Sequence, residues 1–170
     1  MKQLVAVAQD HKLLKRAFGC FPSGIVVIAA WDGDGPVGLV MSSFSPVSLV
    51  PPLVSVCVQE TSQTWPRLRT CRRLGVSILA EGHDDACVRL SRKVGDRFEG
   101  IPWEKTAEGS IFIDHAAAWL NSSVYGELPA GDHQIALLEV LHVMTEPSKA
   151  PLIFHGSRFR SLAVDNATAL

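Results

Sequence analysis

Short apolar runs separated by turn-forming residues dominate this chain and predict a protein built mainly of β-strands. The runs are rich in Val, Ile and Leu and are bounded by Gly, Pro, Asp and Ser, which is the pattern of strands joined by turns. The predicted strands cover residues 25–30, 37–41, 53–58, 74–79, 116–124, 134–143, 152–154 and 158–163. Many strands with few helices favour an antiparallel β-barrel with peripheral helices, because a sheet closed on itself leaves no exposed edge.

Helical spacing of apolar residues occurs in only three places. The first predicted helix covers residues 11–18, with Asp10 suited to the N-cap and Gly19 to the C-terminal stop. A short second helix begins around residues 64–66, and a third covers residues 84–93. The helices are too few and too short to form a layer of their own, so they are expected at the periphery of the sheet.

Length and composition add limits to the protein's class and partners. The 170 residues are 47% hydrophobic with no linker or charge run, which predicts one domain over residues 1–170. The formal net charge of −1, without clustered Lys or Arg, argues against nucleic-acid binding and favours a small-molecule partner. No apolar run reaches the roughly 20 residues of a membrane span, and the N-terminus lacks a signal-peptide pattern. We therefore expect no membrane association and a cytoplasmic protein.

The cysteines and histidines give no sign of a metal centre. The four cysteines, Cys20, Cys57, Cys71 and Cys87, form no Cys-x-x-Cys pair and are expected to be free and mostly buried thiols. The six histidines form no His-Glu-x-x-His motif and show no ligand spacing, so a metal enzyme is not predicted.

Two familiar sequence motifs are matched in part by residue type, but each lacks a feature that its function requires. Residues 33–38 read G-x-G-x-x-G, but a dinucleotide fingerprint opens a helix, whereas a strand pattern follows here. The same turn resembles the start of a calcium loop, yet its twelfth position is Ser43 instead of Glu. We therefore interpret this segment as a hairpin turn. No G-x-S-x-G nucleophile motif is present in the sequence.

Hydroxyl side chains gather at strand ends and suggest a binding site. Ser42, Ser43 and Ser45 follow the strand at 37–41, while Ser62 and Thr64 precede the second helix. Hydroxyls donate hydrogen bonds without carrying charge, and the start of a helix offers backbone N–H groups to a phosphate. This combination indicates a phosphate ester or sugar-like ligand, although turns and helix caps use the same residues for local reasons.

One histidine stands out by its position. His133 follows the turn dipeptide Gly131-Asp132 and begins an apolar strand, where an imidazole would face a cleft. A surface histidine in a turn is the alternative interpretation.

Taken together, these segments resemble the flavin reductase-like family, the short-chain reductase components of two-component flavin monooxygenases. The resemblance covers nearly the whole chain and implies a flavin-binding split β-barrel, usually a homodimer with its site near the subunit interface. It is carried by FGCFPSGIVVI at 18–28, PVGLVMSSFSPVSL at 36–49, PPLV at 51–54, SILA at 77–80, GDRF at 95–98, GDH at 131–133 and PLIFH at 151–155.

The resemblance also implies roles for individual residues. The flavin ring and ribityl chain of FMN would contact Met41, Ser42, Ser43 and Ser48, and its phosphate would contact Ser62 and Thr64. Backbone groups of Ile78 and Leu79 would face the ring, with Ser77 standing where the family more often has Asn, and Phe98 would lie nearby. The nicotinamide nucleotide would contact His133 and His155, of which His133 is the candidate catalytic residue.

The implied activity is hydride transfer from NADH to FMN or FAD, supplying reduced flavin to a partner monooxygenase. Two alternatives stay open: a flavoprotein oxidase or tailoring enzyme that holds FMN tightly, and a non-catalytic binding barrel that has lost flavin. FMN and FAD share the groups that these residues would address. NADPH is as open as NADH, since a ribose 2′-phosphate would call for an arginine such as Arg92, Arg97, Arg158 or Arg160.

Overall fold

The structure, a computed structural model, describes residue 6 and residues 10–162. Its helices are α1 (His11–Gly19), α2 (Trp65–Leu68) and α3 (Asp84–Leu90). Its strands are β1 (Ser23–Gly24), β2 (Val26–Trp31), β3 (Pro36–Met41), β4 (Ser45–Leu49), β5 (Pro52–Gln59), β6 (Leu74–Ile78), β7 (Trp103–Lys105), β8 (Ile111–Ile113), β9 (Ala118–Ala130), β10 (His133–Thr145), β11 (Ile153–His155) and β12 (Arg158–Arg160).

A seven-stranded antiparallel sheet in the order β3-β2-β6-β9-β10-β5-β4 forms the body of the fold. Within the described residues the edge strands β3 and β4 do not pair with each other, so the barrel is split. A three-stranded sheet, β1-β11-β12, and the hairpin β7-β8 accompany it. The prediction of a mainly β, antiparallel split barrel with peripheral helices is confirmed, and complete closure of the sheet is replaced by an open seam between β3 and β4.

Strand β2 explains why part of the sequence is apolar without alternation. Val26 and Ile28 point into the barrel, where the first core cluster also contains Trp65, Leu68 and Leu138. Val27 and Ala29 point outward into a second buried cluster built with α3, β8 and the loop around residues 98–101. Because β2 is covered on both faces, it reads as a continuous apolar run.

The structure differs from the sequence prediction in several elements. Strand β4 occupies the stretch expected to be a hydroxyl-rich loop, and the β7-β8 hairpin is an addition. Helix α3 ends at Leu90 instead of continuing to residue 93. Strands β9 and β10 each have 13 residues because the two-residue turn at 131–132 extends their pairing beyond the Gly and Pro of residues 126–129. The expected strand at 158–163 ends at Arg160, and residue 163 lies outside the described residues.

The four cysteines are free, but the expectation that most are buried is wrong. Cys87 is buried and Cys71 is half-buried, whereas Cys20 and Cys57 are exposed. Inward and outward positions alternate along this part of β5: Val56 and Val58 are buried, and Cys57 between them points outward. None of the helices among the described residues is both long enough and apolar enough to cross a membrane.

Candidate functional site

The loop after β3 carries the serines expected to contact a ligand. Met41 is half-buried and packs against the barrel core, and Ser42 next to it is exposed. The Ser43 hydroxyl accepts a hydrogen bond from the Cys57 N–H (2.9 Å) and donates one to the Cys57 carbonyl (3.3 Å). Ser48 accepts a hydrogen bond from the Val50 N–H (3.2 Å). Of the three serines, Ser42 is therefore the exposed one, while Ser43 ties the loop to β5 and Ser48 stabilises a turn.

The end of β6 lies in the same part of the sheet. Met41 and Ile78 both pair with Val26, on opposite sides of β2. Neighbouring strands lie about 4.8 Å apart, so Met41 and Ile78 are separated by roughly 10 Å across β2. The fold thus brings these two sequence-predicted residues to one end of the barrel.

Ser77 and Leu79 are used by the fold itself. Ser77 is completely buried, and its hydroxyl accepts a hydrogen bond from the Ile113 N–H (2.9 Å). The Leu79 N–H donates to the Ile25 carbonyl (2.9 Å), and the Leu79 carbonyl accepts from the Leu152 N–H (2.8 Å). The Leu79 N–H is therefore already used within the fold, and its carbonyl already accepts one hydrogen bond. The Ser77 hydroxyl is also used within the fold, since its hydrogen bond joins β6 to β8.

The hydroxyls before α2 have different environments. The Ser62 hydroxyl accepts a hydrogen bond from the Trp65 N–H (3.1 Å), so it caps α2. Thr64 makes no capping bond; its hydroxyl instead accepts a hydrogen bond from the Arg97 guanidinium (3.4 Å). Helix α2 has only four residues, so its dipole adds little to anion binding. The start of α2 therefore offers little to an anion by its dipole, and the positive charge beside Thr64 comes from an arginine side chain.

Two arginines meet beside Thr64. Arg67 forms an ion pair with Asp32 and donates a hydrogen bond from Nε to Asp32 Oδ2 (2.6 Å). Arg97 is half-buried, and burial together with the nearby Arg67 lowers its pKa. Burial acts to raise the pKa of Asp32, but hydrogen bonds from Arg67 and the Asp34 N–H outweigh it and lower that pKa. We call Asp32, Thr64, Arg67 and Arg97 the charged corner.

The sequence identified Thr64 of the charged corner as a site residue. It did not indicate that Asp32, Arg67 and Arg97 lie beside it. Arg97 was visible only as one of several arginines for a 2′-phosphate. The available signal was Pro66-Arg67, an arginine fixed by the first turn of a helix, but its partner Asp32 lies 35 residues away. Pairing at that separation is decided by the packing of α2 on β3.

Phe98 is a core residue in this chain. It is 5% exposed, and its ring meets Trp103 edge-on with 6.4 Å between centroids. A Cβ on Gly38 would lie 2.9 Å from the tip of the Phe98 ring, so the ring lies directly on β3. The tip of the Phe98 ring therefore lies at Gly38, about three residues or roughly 10 Å along β3 from Met41.

The two candidate histidines lie in different sheets. His133 begins β10, and its Nδ1 lies 2.7 Å from Asp132 Oδ1, an arrangement that lowers the pKa of Asp132. Because an ionised carboxylate only accepts, Nδ1 carries the proton and Nε2 is left for another partner. His155 ends β11 and is half-buried. Among the described residues, no hydrogen bond joins His133 to His155.

A cavity of about 660 Å³ is lined by none of the sequence-predicted site residues. It lies between the segment after β6, α3 and the loop after β8. His83 spans its wall: Nε2 donates to the Asp114 carbonyl (2.9 Å), and Nδ1 accepts from the Ala80 N–H (3.1 Å). Within the described part of the chain, no three His, Cys, Asp or Glu residues are grouped to hold a metal ion.

Comparison with known proteins identifies related chains. Residues 18–163 match the family described as flavin reductase like domain. The chain is 37% identical over 157 residues to the actinorhodin polyketide dimerase of Streptomyces coelicolor, covering 92% of this chain and 89% of that protein. It is 29% identical over 162 residues to the reductase subunit of a flavin-dependent monooxygenase of Rhodococcus jostii, covering 95% and 83%. An NADH:FAD oxidoreductase of Streptomyces globisporus, solved with NAD and FAD fragments, superposes with a TM-score of 0.90 at 33% identity, covering 98% of this chain and 100% of that one.

Proposed function

Since this chain belongs to the flavin reductase-like family, we propose that it is an NAD(P)H-dependent flavin reductase. The reaction is transfer of a hydride from a nicotinamide nucleotide to FMN or FAD. Family membership over residues 18–163 supports the reaction class. The structural observation that carries the proposal is the charged corner beside Thr64, where a half-buried guanidinium faces a hydroxyl group.

The residues of the charged corner fit a flavin phosphate. A phosphate ester needs cationic and hydroxyl donors, and charge-assisted hydrogen bonds from arginine are about twice as strong as neutral ones. Arg97 and Thr64 provide both kinds of donor. Met41 lies roughly 10 Å along β3 from Gly38, where the ring of Phe98, the neighbour of Arg97, packs. We assign the ring to the end of β3 near Met41, Ser42 and Ile78, and the phosphate to the charged corner.

Ser43, Ser48, Ser62, Ser77, Leu79 and Phe98 take supporting roles in this proposal. Ser43 holds the ring-binding loop against β5, and Ser62 caps the helix that carries Arg67. Ser77 and Leu79 hold the end of β6 in place, which positions Ile78. Their polar groups act on the ligand through the residues that they orient.

His133 and His155 are assigned to the nicotinamide nucleotide. Asp132 orients the His133 imidazole and fixes the proton on Nδ1, which leaves Nε2 to bind the nucleotide. His155, half-buried at the end of β11, provides a second contact in the completed site.

In this reaction the main task of the protein is to position the flavin and the nicotinamide nucleotide. Bound flavin supplies the hydride acceptor, N5, and NADH supplies the donor, C4 of its nicotinamide. The chain's own residues bind and orient the two molecules and exclude water. Backbone and hydroxyl donors near Ile78 and Ser42 would stabilise negative charge on the pyrimidine part of a bound flavin ring. No acid-base pair is needed, in agreement with the absence of a nucleophile motif in the sequence.

We further propose that the protein is a homodimer that delivers reduced flavin to a separate monooxygenase. On the side of the sheet that points away from the barrel interior, β9, β10 and β5 carry a row of residues that pair across the three strands: Leu128, Ile135 and Cys57. Leu128 is 53% exposed and Cys57 is exposed. We call this row the outer face. An apolar outer face next to His133 suits a contact with a second copy.

The test is an anaerobic absorbance assay in which a small amount of purified chain acts on excess FMN or FAD with NADH. Bleaching of the oxidised flavin over many turnovers, relative to a reaction without protein, supports a reductase that releases its product. Bleaching of one bound equivalent favours a flavoprotein that holds FMN tightly. No bleaching and no flavin binding favours a non-catalytic barrel and overturns the proposal.

A further inference from the structure

The segment between β5 and α2 is attached to the β9-β10 hairpin at its first residues. Gln59, the last residue of β5, pairs with His133. The next residue, Glu60, donates its N–H to the carbonyl of Asp132 in the hairpin turn (3.1 Å). The chain that leads to Thr64 therefore starts beside the turn that carries the candidate catalytic histidine.

A second attachment is made by Glu127, whose carboxylate contacts both ends of α2. Its Oε1 accepts a hydrogen bond from Trp65 Nε1 (2.6 Å), and its Oε2 lies 2.9 Å from a terminal nitrogen of Arg69. Trp65 is the first residue of α2, and Arg69 follows the last. Glu127 belongs to β9 and lies four residues before Gly131 of the hairpin turn, roughly 13 Å along the strand. We call Glu127, Trp65 and Arg69 the Glu127 bridge.

Burial of Trp65 gives its bond to Glu127 structural weight. The Trp65 side chain is 1% exposed and packs in the first core cluster, where an indole N–H without an acceptor would be unfavourable. Glu127 lies on the inner face of the sheet, since its partner across β10, Ala136, is completely buried. Glu is uncommon in strands, and an ionised acceptor makes a stronger hydrogen bond than a neutral one. The carboxylate therefore fixes the rotation of α2 against the barrel.

Helix α2 depends on such contacts for its position. It has four residues, and a helix of this length is not stable by itself. The Ser62 hydroxyl caps it at the Trp65 N–H (3.1 Å), so Trp65 is held through its main chain by Ser62 and through its side chain by Glu127. Loss of the Glu127 bridge would let Thr64 shift relative to the hairpin, while the hydrogen bonds within the loop and within the hairpin stay in place.

Resting on the proposed reductase function, we propose that Glu127 is a positioning residue for hydride transfer. By holding α2 against the β9-β10 hairpin, it sets the position of a flavin bound beside Thr64 relative to a nicotinamide nucleotide bound at His133. The reacting atoms must approach to about 3–3.5 Å, and a misplacement of about 1 Å can slow such a step about a hundredfold. Glu127 therefore acts on the rate of flavin reduction more than on the affinity for either molecule.

Substitutions at both ends of the Trp65–Glu127 hydrogen bond test this role. Glu127→Leu keeps the backbone of β9 but removes both contacts of the carboxylate, and it should lower the rate constant of flavin reduction about tenfold or more. Trp65→Phe keeps a buried ring without the donor and should have a similar effect. The double variant should lose no more than either single variant, because the two residues act through one contact. Glu127→Gln retains an acceptor for Trp65 and should recover most of the rate.

The measurement is anaerobic stopped-flow reduction of FMN bound to the full chain at saturating NADH. Fluorescence titration gives the FMN dissociation constant, and steady-state kinetics give KM for NADH; both should change less than about threefold in the Glu127 variants. Arg72→Met is the control, since Arg72 lies shortly after α2, pairs with Glu108 and is 76% exposed, and it should leave all three values unchanged. Thermal melts verify folding, and if Glu127→Leu does not fold, Trp65→Phe compared with Glu127→Gln decides.

Three outcomes overturn the inference and leave the reductase assignment intact. A wild-type rate of flavin reduction in both Glu127→Leu and Trp65→Phe makes the Glu127 bridge a purely structural contact. A loss confined to the FMN dissociation constant assigns Glu127 to support of the flavin site alone. Additive losses in the double variant mean that the two residues act separately. Wild-type protein that reduces neither FMN nor FAD overturns the proposed function itself.

Discussion

At the scale of single residues, hydrogen-bond partners decide which candidate side chains can serve a ligand. Ser43 and Ser77 look like ligand-binding hydroxyls in the sequence, yet each bonds to a backbone group within the fold. Ser42 is exposed, and Thr64 bonds to an arginine. Ser42 and Thr64 therefore remain candidates for ligand contact, because neither hydroxyl is bonded to a backbone group of the fold.

His133 is the residue whose substitution best separates the two substrates. His133→Ala should raise KM for NADH about tenfold, because it removes a hydrogen bond that Asp132 orients. The FMN dissociation constant should change less than about twofold. Steady-state kinetics and fluorescence titration measure the two effects. Asp132→Asn retains an acceptor for Nδ1 and should have a smaller effect on KM. Equal losses for NADH and FMN would remove His133 from the nucleotide site.

The Asp32–Arg67 pair predicts a pH dependence of stability. The folded-state pKa of Asp32 lies below its ordinary value of 3.8, so ionised Asp32 stabilises the folded chain. This contribution is fully present above pH 4, roughly the unfolded-state pKa, and is lost as the pH falls through the lower folded-state pKa. Urea unfolding at several pH values should show wild type more stable than Asp32→Asn near neutrality, with the difference shrinking in acid. A constant difference would contradict the pairing.

At the scale of elements, the crossing of β8 over β6 organises the second core cluster. A Cβ on Gly75 would lie 2.0 Å from the carbonyl oxygen of Ile111, so β8 passes directly over this glycine. Ser77, two residues on, bonds to Ile113 of the same strand. The β7-β8 hairpin is thereby held on β6 at two points.

Gly75→Ala tests this crossing. The added methyl group must displace the backbone of β8, and overpacking of this kind lowers stability by about 1 to 3 kcal/mol. We expect a value at the upper end, measured by urea denaturation, because the clash is with backbone atoms. Gly126→Ala is the control, since β9 leaves open space at that position, and it should change stability by less than about 1 kcal/mol. Similar effects in the two variants would mean that β8 does not cross at Gly75.

At the scale of the whole molecule, apolar surface remains that the single chain does not cover. Leu128, Leu49 and Tyr125 are all more than half exposed on strands or next to them. The outer face, to which Leu128 belongs, lies beside the start of β10, where His133 is located. A second copy packed there would cover the apolar surface and border the nucleotide site.

Sedimentation equilibrium should give twice the chain mass of 18.4 kDa. Leu128→Asp places a charge within the outer face and should shift the protein to the monomer, with a loss of reductase turnover. Val94→Asp is the control: Val94 is 82% exposed, lies in the loop after α3, and should leave the mass unchanged. A wild-type monomer, or a Leu128→Asp dimer, would exclude the outer face as the interface.

The sequence by itself determined the fold class and most of the strands. Apolar runs and turn residues are local signals, and β2 is recognisable because burial on both faces requires an apolar residue at every position. The family could be identified for the same reason, since its motifs are short stretches in a fixed order. The charged corner illustrates what only the tertiary structure decided. Asp32, Thr64 and Arg97 are brought together by the packing of α2 and of Phe98 on β3, and no local pattern encodes those long-range contacts. The same holds for Ser77 and Leu79, which have protein partners that only the folded chain supplies.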